Sequence, residues 1–421
     1  MPKTVTMSAT LAADEILERR RRAGLRVLSM ATGEIGLPVH PSLGAALAGA
    51  VGENAYGPVA GSVALRAAVA GYWDRRGLAC DPDLVVAGPG SKPLLYALLL
   101  AIGGDVVIPV PGWVSYSAHA RLVGARPVPV RTRPGEGGVP DPDLVRDAVL
   151  SARARGREVR AVVVTVPDNP TGAVVTPATA SRLAEVAREL DLVIVSDEIY
   201  RDLVFDTGAP SSSPARFAPE RTVVTTGLTK SFALGGWRLG VARLPDGDHA
   251  LRERLVAVAS QIWSSPVAPV QAAAAFAFSE PAELVEHIAL SRRLHEGVAE
   301  ALAERFAAVG ALVEPVRATC YVYPDFEPLR AHLARAHGVR TGPELTAWLL
   351  ERHGVGVLPG SAFGEPATVL RLRASTSRLY GDTDEERVAA LAALDPSGLP
   401  WIRASLDRVD EVLDDLVHGA P

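Results

Sequence analysis

Cysteine is almost missing from the 421 residues: Cys80 and Cys320 are the whole complement. Two thiols make neither a disulfide framework nor a four-thiolate zinc site, and such sparse use fits a reducing compartment. The nine histidines include no H-E-x-x-H helix and no Cys/His cluster, so nothing suggests a metal. No apolar run approaches the roughly 20 residues needed to span a bilayer; the longest is Leu94 to Ile102. A signal-peptide pattern is also lacking, since Asp14 and Glu15 arrive with no apolar stretch before them. A block of positive charge is absent too. Arg19 to Arg22 shares a helix-like segment with Asp14, Glu15 and Glu18 and reads as a solvated face. With a net charge of −5, nucleic acid is excluded as the principal partner. These absences lead us to expect a cytoplasmic protein with no membrane partner.

Lysine is the most informative scarcity. Of 43 basic side chains, only Lys3, Lys92 and Lys230 are lysines, and the other 40 are arginines. An internal lysine in such a chain invites chemistry that a guanidinium cannot perform. An amine can lose its proton and form a Schiff base.

What is present is a globular composition, 48% apolar and 22% charged, sufficient for a substantial core. From about 81 to 245, short apolar runs alternate with helix-like stretches. Strands are expected at Asp83–Ala87, Asp105–Val110, Arg126–Val130, Arg160–Val166, Asp191–Val195 and Arg221–Thr225. Between the fourth and fifth, Thr176 caps a helix with Pro177 in its first turn. With no tight hairpins, this alternation means an open, mostly parallel α/β sheet with crossover helices. Beyond it, 250–278 and 283–309 read as two long helices. Short strands follow near Ala311–Val316, Cys320–Pro324, Val355–Leu358 and Val369–Leu372, and an amphipathic helix over Ile402–Val417 ends the chain. The expected organisation is an arm at 1–47 that packs on the smaller unit, a large domain at 48–279 and a smaller α+β domain at 280–421.

In open α/β sheets, ligands sit beyond the carboxyl ends of the strands. Here those ends carry Asp168-Asn169-Pro170-Thr171-Gly172, Asp197-Glu198-Ile199-Tyr200 and Thr229-Lys230-Ser231-Phe232 with Arg238, while Gly88 and Gly90 open a helix. The set comprises an amine, a carboxylate, an amide, a phenol, a guanidinium and a helix N-terminus able to hold a phosphate. Pyridoxal phosphate asks for that set: an amine for its aldehyde, a carboxylate for its ring nitrogen, and arginine with free N–H groups for its phosphate. Trp113, in Pro111-Gly112-Trp113, is available to stack on the ring.

With Leu-Pro-Gly-Ser-Ala-Phe-Gly at 358–364 added, these motifs closely resemble the class I/II aminotransferases, fold type I pyridoxal phosphate enzymes related to aspartate aminotransferase. The resemblance runs from Thr32-Gly33-Glu34 to the last helix. It implies Lys230 as Schiff-base and proton-shuttling residue, Asp197 at the pyridine nitrogen, and Asn169 and Tyr200 at the ring oxygen. It further implies Arg238 with the backbone of Ser91 and Lys92 at the phosphate. Arg371 matches the arginine that grips the substrate carboxylate, and Gly33 a backbone donor to the same group. Tyr56 matches a tyrosine reaching the neighbouring subunit's phosphate, which implies a homodimer with shared active sites. The expected activity moves the amino group of an α-amino acid to a 2-oxo acid. The alternative is a lyase, cyclase or oxidase of the same fold; a non-enzymatic ligand sensor is the distant third. Four departures stand out: Gly227 where serine is frequent, Asp168 where asparagine is usual, Arg373 two residues past Arg371, and a long tail from Arg378 to Pro400.

Overall fold

The computed structural model describes residues 7–208 and 212–419. The chain opens with helix α1 (Ala9–Arg22), a short strand β1 (Leu28–Ser29), and helices α2 (Pro41–Gly49) and α3 (Val63–Asp74). The central segment then alternates: β2 (Val85–Gly88), α4 (Ser91–Ile102), β3 (Asp105–Val110), α5 (Val114–Leu122), β4 (Pro127–Arg133), β5 (Glu136–Pro140), α6 (Pro142–Ala154), β6 (Val159–Thr165), α7 (Pro177–Glu189), β7 (Val193–Asp197), β8 (Thr222–Gly227) and β9 (Gly240–Arg243). These strands form one eight-stranded sheet in the order β2-β9-β8-β7-β6-β3-β4-β5. Strands β4, β3, β6, β7 and β8 are mutually parallel; β9 and the edge strand β5 run against their neighbours. Val162, Val163, Val164, Ile194 and Val195 are buried, as fits strands covered by helices on both faces. Sheet topology matches the expected open α/β architecture.

Two local expectations fail in this region. A tight hairpin does occur: β4 turns into β5 through Pro134-Gly135, with Gly135 at φ +72°. Its second strand contains Gly137-Gly138 and lacks the alternation that marks strands, although Pro-Gly is a turn signal. The helix expected over 250–278 is two, α8 (His249–Ile262) and α9 (Ala268–Phe278). Ser264 adopts φ +60° and Pro266 follows, so the helical hydrogen bonds cannot continue.

The second core is built by α10 (Ala282–Ala308), β10 (Tyr321–Val322), α11 (Arg330–Ala336), α12 (Gly342–His353), β11 (Val355–Gly356), β12 (Leu358–Pro359), β13 (Leu372–Ser375), α13 (Asp384–Ala392) and α14 (Pro400–His418). Strands β10 and β12 flank β13 antiparallel, and β11 pairs with β1 from the arm. Ala311–Val316 forms no strand; Leu312 makes only an isolated bridge to Asp325. The strand expected over Val369–Leu372 lies at Leu372–Ser375. The 378–400 tail carries α13, started by a Thr383–Glu386 capping box, and buried Tyr380 ties it to His295 Nδ1 of α10 at 2.6 Å.

Leu17 of α1 packs with Tyr323, Leu358 and Phe363, so the start of the arm does rest on the smaller unit. Leu43 of α2 instead joins Val69, Phe278 and Leu284 in a core of the large unit. Helix α10 serves both cores, giving Leu284 and Ile288 to that one and Leu294 to Phe306 to the other. No helix among the described residues is long and apolar enough to cross a membrane.

Candidate active site

The carboxyl ends of β6, β7 and β8, the start of α4 and the arm surround a cavity of about 550 Å³. It is lined by Lys230, Asp197, Asn169, Tyr200, Arg238, Ser91, Lys92, Trp113 and Gly33, all expected from the sequence, together with Tyr116, Thr165, Tyr321 and Arg373.

Lys230 follows β8 and donates from Nζ to the Gly33 carbonyl, with Nζ 5.5 Å from the centre of the Tyr200 ring. Burial lowers its pKa to about 8, so roughly a tenth of the amine is unprotonated at pH 7, far more than for an exposed lysine. Asp197 ends β7. Its Oδ2 accepts from Tyr116 Oη at 2.9 Å and Oδ1 from Thr225 Oγ1 at 3.3 Å. No cation pairs with it among the described residues, and burial raises its pKa to about 6. Tyr116 was missed, although it sits three residues beyond Trp113 on the same helical face; its hydroxyl also meets Thr165 Oγ1 at 2.7 Å.

At the start of α4 the N-cap is Gly90, at φ +103°, with no side-chain cap, so the first N–H groups are free. Arg238 stands over it: a Cβ on Gly90 would lie 2.5 Å from Nη2. Helix N-terminus and guanidinium thus converge on one spot, an arrangement suited to a phosphate. Gly227 has a packing reason. It pairs with Gly240 across β8 and β9, where a Cβ would lie 2.6 Å from the Leu239 carbonyl oxygen. A serine there would not fit.

Arg371 lies elsewhere. It is excluded from the cavity lining and held by Asp325 at 2.8 Å and Glu365 at 2.7 Å, at the end of β13. Two residues along the strand, Arg373 reaches the cavity. It is 1% exposed, sits 4.6 Å from the Tyr321 ring centre, and donates from Nη1 to Asn169 Oδ1 at 3.0 Å and from Nη2 to the Ala31 carbonyl. Its Nε has no partner and no carboxylate pairs with it among the described residues. A buried guanidinium without a counter-charge is a place for an anion. Of the two arginines the structure brings Arg373 to the cavity, and not Arg371. Both were visible; alternation put them on one face, and only Asp325 and Glu365 separate their fates.

Asp168 is fully buried and does not line the cavity. Its Oδ2 accepts from Thr171 Oγ1 at 2.6 Å beneath Gly137 and Gly138, its Oδ1 has no partner, and burial raises its pKa to about 7. Trp113 meets Tyr116 edge-on at 5.3 Å, and Lys92 Nζ lies 5.3 Å from its ring centre. Tyr56 is outside the cavity and 82% exposed. Ser8, Thr10, Leu11 and Asp14 line the mouth, so the amino-terminal segment belongs to the site, a part the sequence reading did not give it.

A profile described as "Aminotransferase class I and II" matches residues 32–385. The aspartate/prephenate aminotransferase of Thermus thermophilus is 34% identical over 362 residues, 85% of this chain and 89% of that protein. The aspartate aminotransferase of Geobacillus stearothermophilus is 33% identical over 396 residues, 91% of this chain and 96% of that protein. Among solved structures, the Thermus thermophilus aspartate aminotransferase with maleate superposes with a TM-score of 0.82 at 30% identity, covering 97% of both chains.

Proposed function

Because the chain belongs to the class I and II aminotransferases, pyridoxal-phosphate-dependent enzymes, we propose that its amino donor is a short dicarboxylic amino acid of the aspartate kind. The transfer of an amino group from an amino acid to a 2-oxo acid is the activity of this family. The donor's class rests on one observation: apart from Lys230, which takes the cofactor, and Arg238 at the phosphate position, the cavity holds two side-chain cations with no carboxylate ion pair among the described residues, Arg373 and Lys92. Two carboxylates on one small substrate match two such cations. Glu34 lines the same cavity, but Arg378 holds its carboxylate.

The residues fit the cofactor. Asp197, a buried carboxylate lacking a cation, would hold the pyridine nitrogen. Arg238 and the open start of α4 would hold the phosphate, Trp113 a ring face, and Asn169 and Tyr200 the ring oxygen. When bound, pyridoxal phosphate supplies an aldehyde carbon that takes up the amino group and a ring that accepts an electron pair. Arg373 binds the α-carboxylate and fixes the Cα–H bond in one orientation. Lys230 Nζ, its pKa lowered to about 8, takes the proton from Cα and returns it, which requires an amine that carries and releases protons near neutral pH.

Aspartate added to purified enzyme without an acceptor should bleach the cofactor's visible band and release one 2-oxo acid per site, and 2-oxoglutarate should restore the band. Continuous turnover without an acceptor would overturn this reading. Borohydride should fix the cofactor on Lys230 and not on Lys92. Exposed Tyr56 supports a homodimer in which each subunit completes its partner's phosphate site.

A further inference from the structure

Tyr321 is assigned no role by the sequence motifs, yet it occupies the junction of the site. Its hydroxyl lies 2.7 Å from Tyr200 Oη, and the two rings meet edge-on at 5.6 Å and 78°. The Arg373 guanidinium sits 4.6 Å from the centre of its ring. Gly33 is pressed against the same hydroxyl, where a Cβ would lie 2.1 Å away, and the Gly33 carbonyl accepts from Lys230 Nζ. One buried ring therefore touches the arginine, the phenol and the segment that holds the lysine.

We propose that Tyr321 is a positioning residue that transmits the occupancy of Arg373 to the Tyr200 phenol, so that arrival of a carboxylate on Arg373 resets the hydrogen bond Tyr200 offers to the cavity. The inference rests on the reading of Arg373 as the carboxylate site and of Tyr200 as the phenol facing the cofactor.

The physical basis is that two hydroxyls at 2.7 Å share one hydrogen, and either oxygen can be the donor. If Tyr321 donates, Tyr200 keeps its own hydrogen free for the cavity. If Tyr200 donates, it presents only lone pairs there. A guanidinium over the Tyr321 ring withdraws charge from it and makes its hydroxyl the better donor. A carboxylate on Arg373 cancels that cation and weakens the bias. Burial strengthens the effect, because both phenols are buried and little water competes. The titratable and charged groups around the pair are Arg373, Cys320 and Tyr380, with Lys230 beside the Tyr200 ring and Asp197 and Glu34 acting on that lysine. Burial raises the Cys320 thiol, so it stays neutral, and it donates no charge to the exchange.

The test uses the cofactor-loaded enzyme and succinate, a dicarboxylate with no amino group to transfer. The visible band of the cofactor on Lys230 is titrated against pH with and without saturating succinate, and succinate affinity is measured by calorimetry. In the wild type, succinate should move the apparent pKa of the band by at least one unit. Tyr321→Phe keeps the ring over Arg373 and loses only the hydroxyl. It should bind succinate within threefold of wild type but show no more than half the shift. Tyr200→Phe and the double variant should show the same halving, because the two hydroxyls act as one unit. That pair also keeps the test decisive should Tyr321→Phe fail to fold, since a full wild-type shift in Tyr200→Phe would then overturn the proposal. A full shift in Tyr321→Phe overturns it and leaves the Arg373 reading intact. Failure of the wild type to bind succinate, or binding with no shift, overturns both.

Discussion

Asp168 is a carboxyl group with no cation near it and one oxygen without a partner. Its pKa is 3.8 when exposed and about 7 in the folded protein, so the fold binds the proton more tightly. The resulting stability is full below about pH 4 and is lost as pH rises through about 7. Asp197, raised to about 6, acts in the same direction. Urea unfolding at a series of pH values should therefore show wild type losing on the order of 3 kcal/mol more than Asp168→Asn between pH 4 and pH 8. Parallel curves would mean that the carboxyl is not buried. Arg371, just before β13, and Arg373 within it should separate by kinetics. Arg373→Ala should raise KM by roughly 10- to 150-fold, the equivalent of one charge-assisted hydrogen bond, while Arg371→Ala should leave KM unchanged and lower Tm, because Glu365 and Asp325 lose their cation in a largely buried setting. At this scale the sequence spoke clearly where a residue type is chemically irreplaceable, as for Lys230. It was ambiguous where two equal residues compete, because the winner depends on ion-pair partners, Asp325 and Glu365, that no motif marks.

Among the elements, the junction of β8 and β9 leaves no space beside Gly227. Gly227→Ser puts its Cβ against the Leu239 carbonyl and should cost about 1–3 kcal/mol, read as a lowered Tm, in addition to any effect on phosphate binding. The parallel strands and α7 were legible because buried β-branched runs and a Thr176 cap are local signals; Thr176 Oγ1 does accept from the Thr179 N–H. Strand β5 was not; in the second core the expected strands near 320–324 and 355–358 hold β10 and β11, whereas the one at 311–316 is absent and the one at 369–372 lies at 372–375. Two-residue strands such as β10 and β12 are created by what lies beside them, and Gly137-Gly138 is selected by the close approach of Asp168 and Thr171. The arm's share of the cavity was hidden for a related reason. Ser8 and Thr10 carry no motif and matter only because Leu17 anchors α1 on the second core.

For the whole molecule, the shared-site homodimer can be tested by complementation. Subunits carrying Lys230→Ala and subunits carrying Tyr56→Ala, each poor alone, should regain one good site per mixed dimer. That site pairs an intact lysine with an intact tyrosine, and activity and cofactor retention both report it. No recovery after exchange would place Tyr56 outside the partner's site. Helix α10 makes a different statement about the molecule. Its 27 residues extend about 40 Å, with the first turns in one core and the rest in the other. The two cores should therefore melt in a single calorimetric transition, and the middle of α10 should exchange its amide hydrogens only on global unfolding. The helix also limits how such a protein can change by descent. A recombination joint between the cores would sever a helix along its length, so the smaller unit is not a module to be traded among enzymes; the two halves are inherited together.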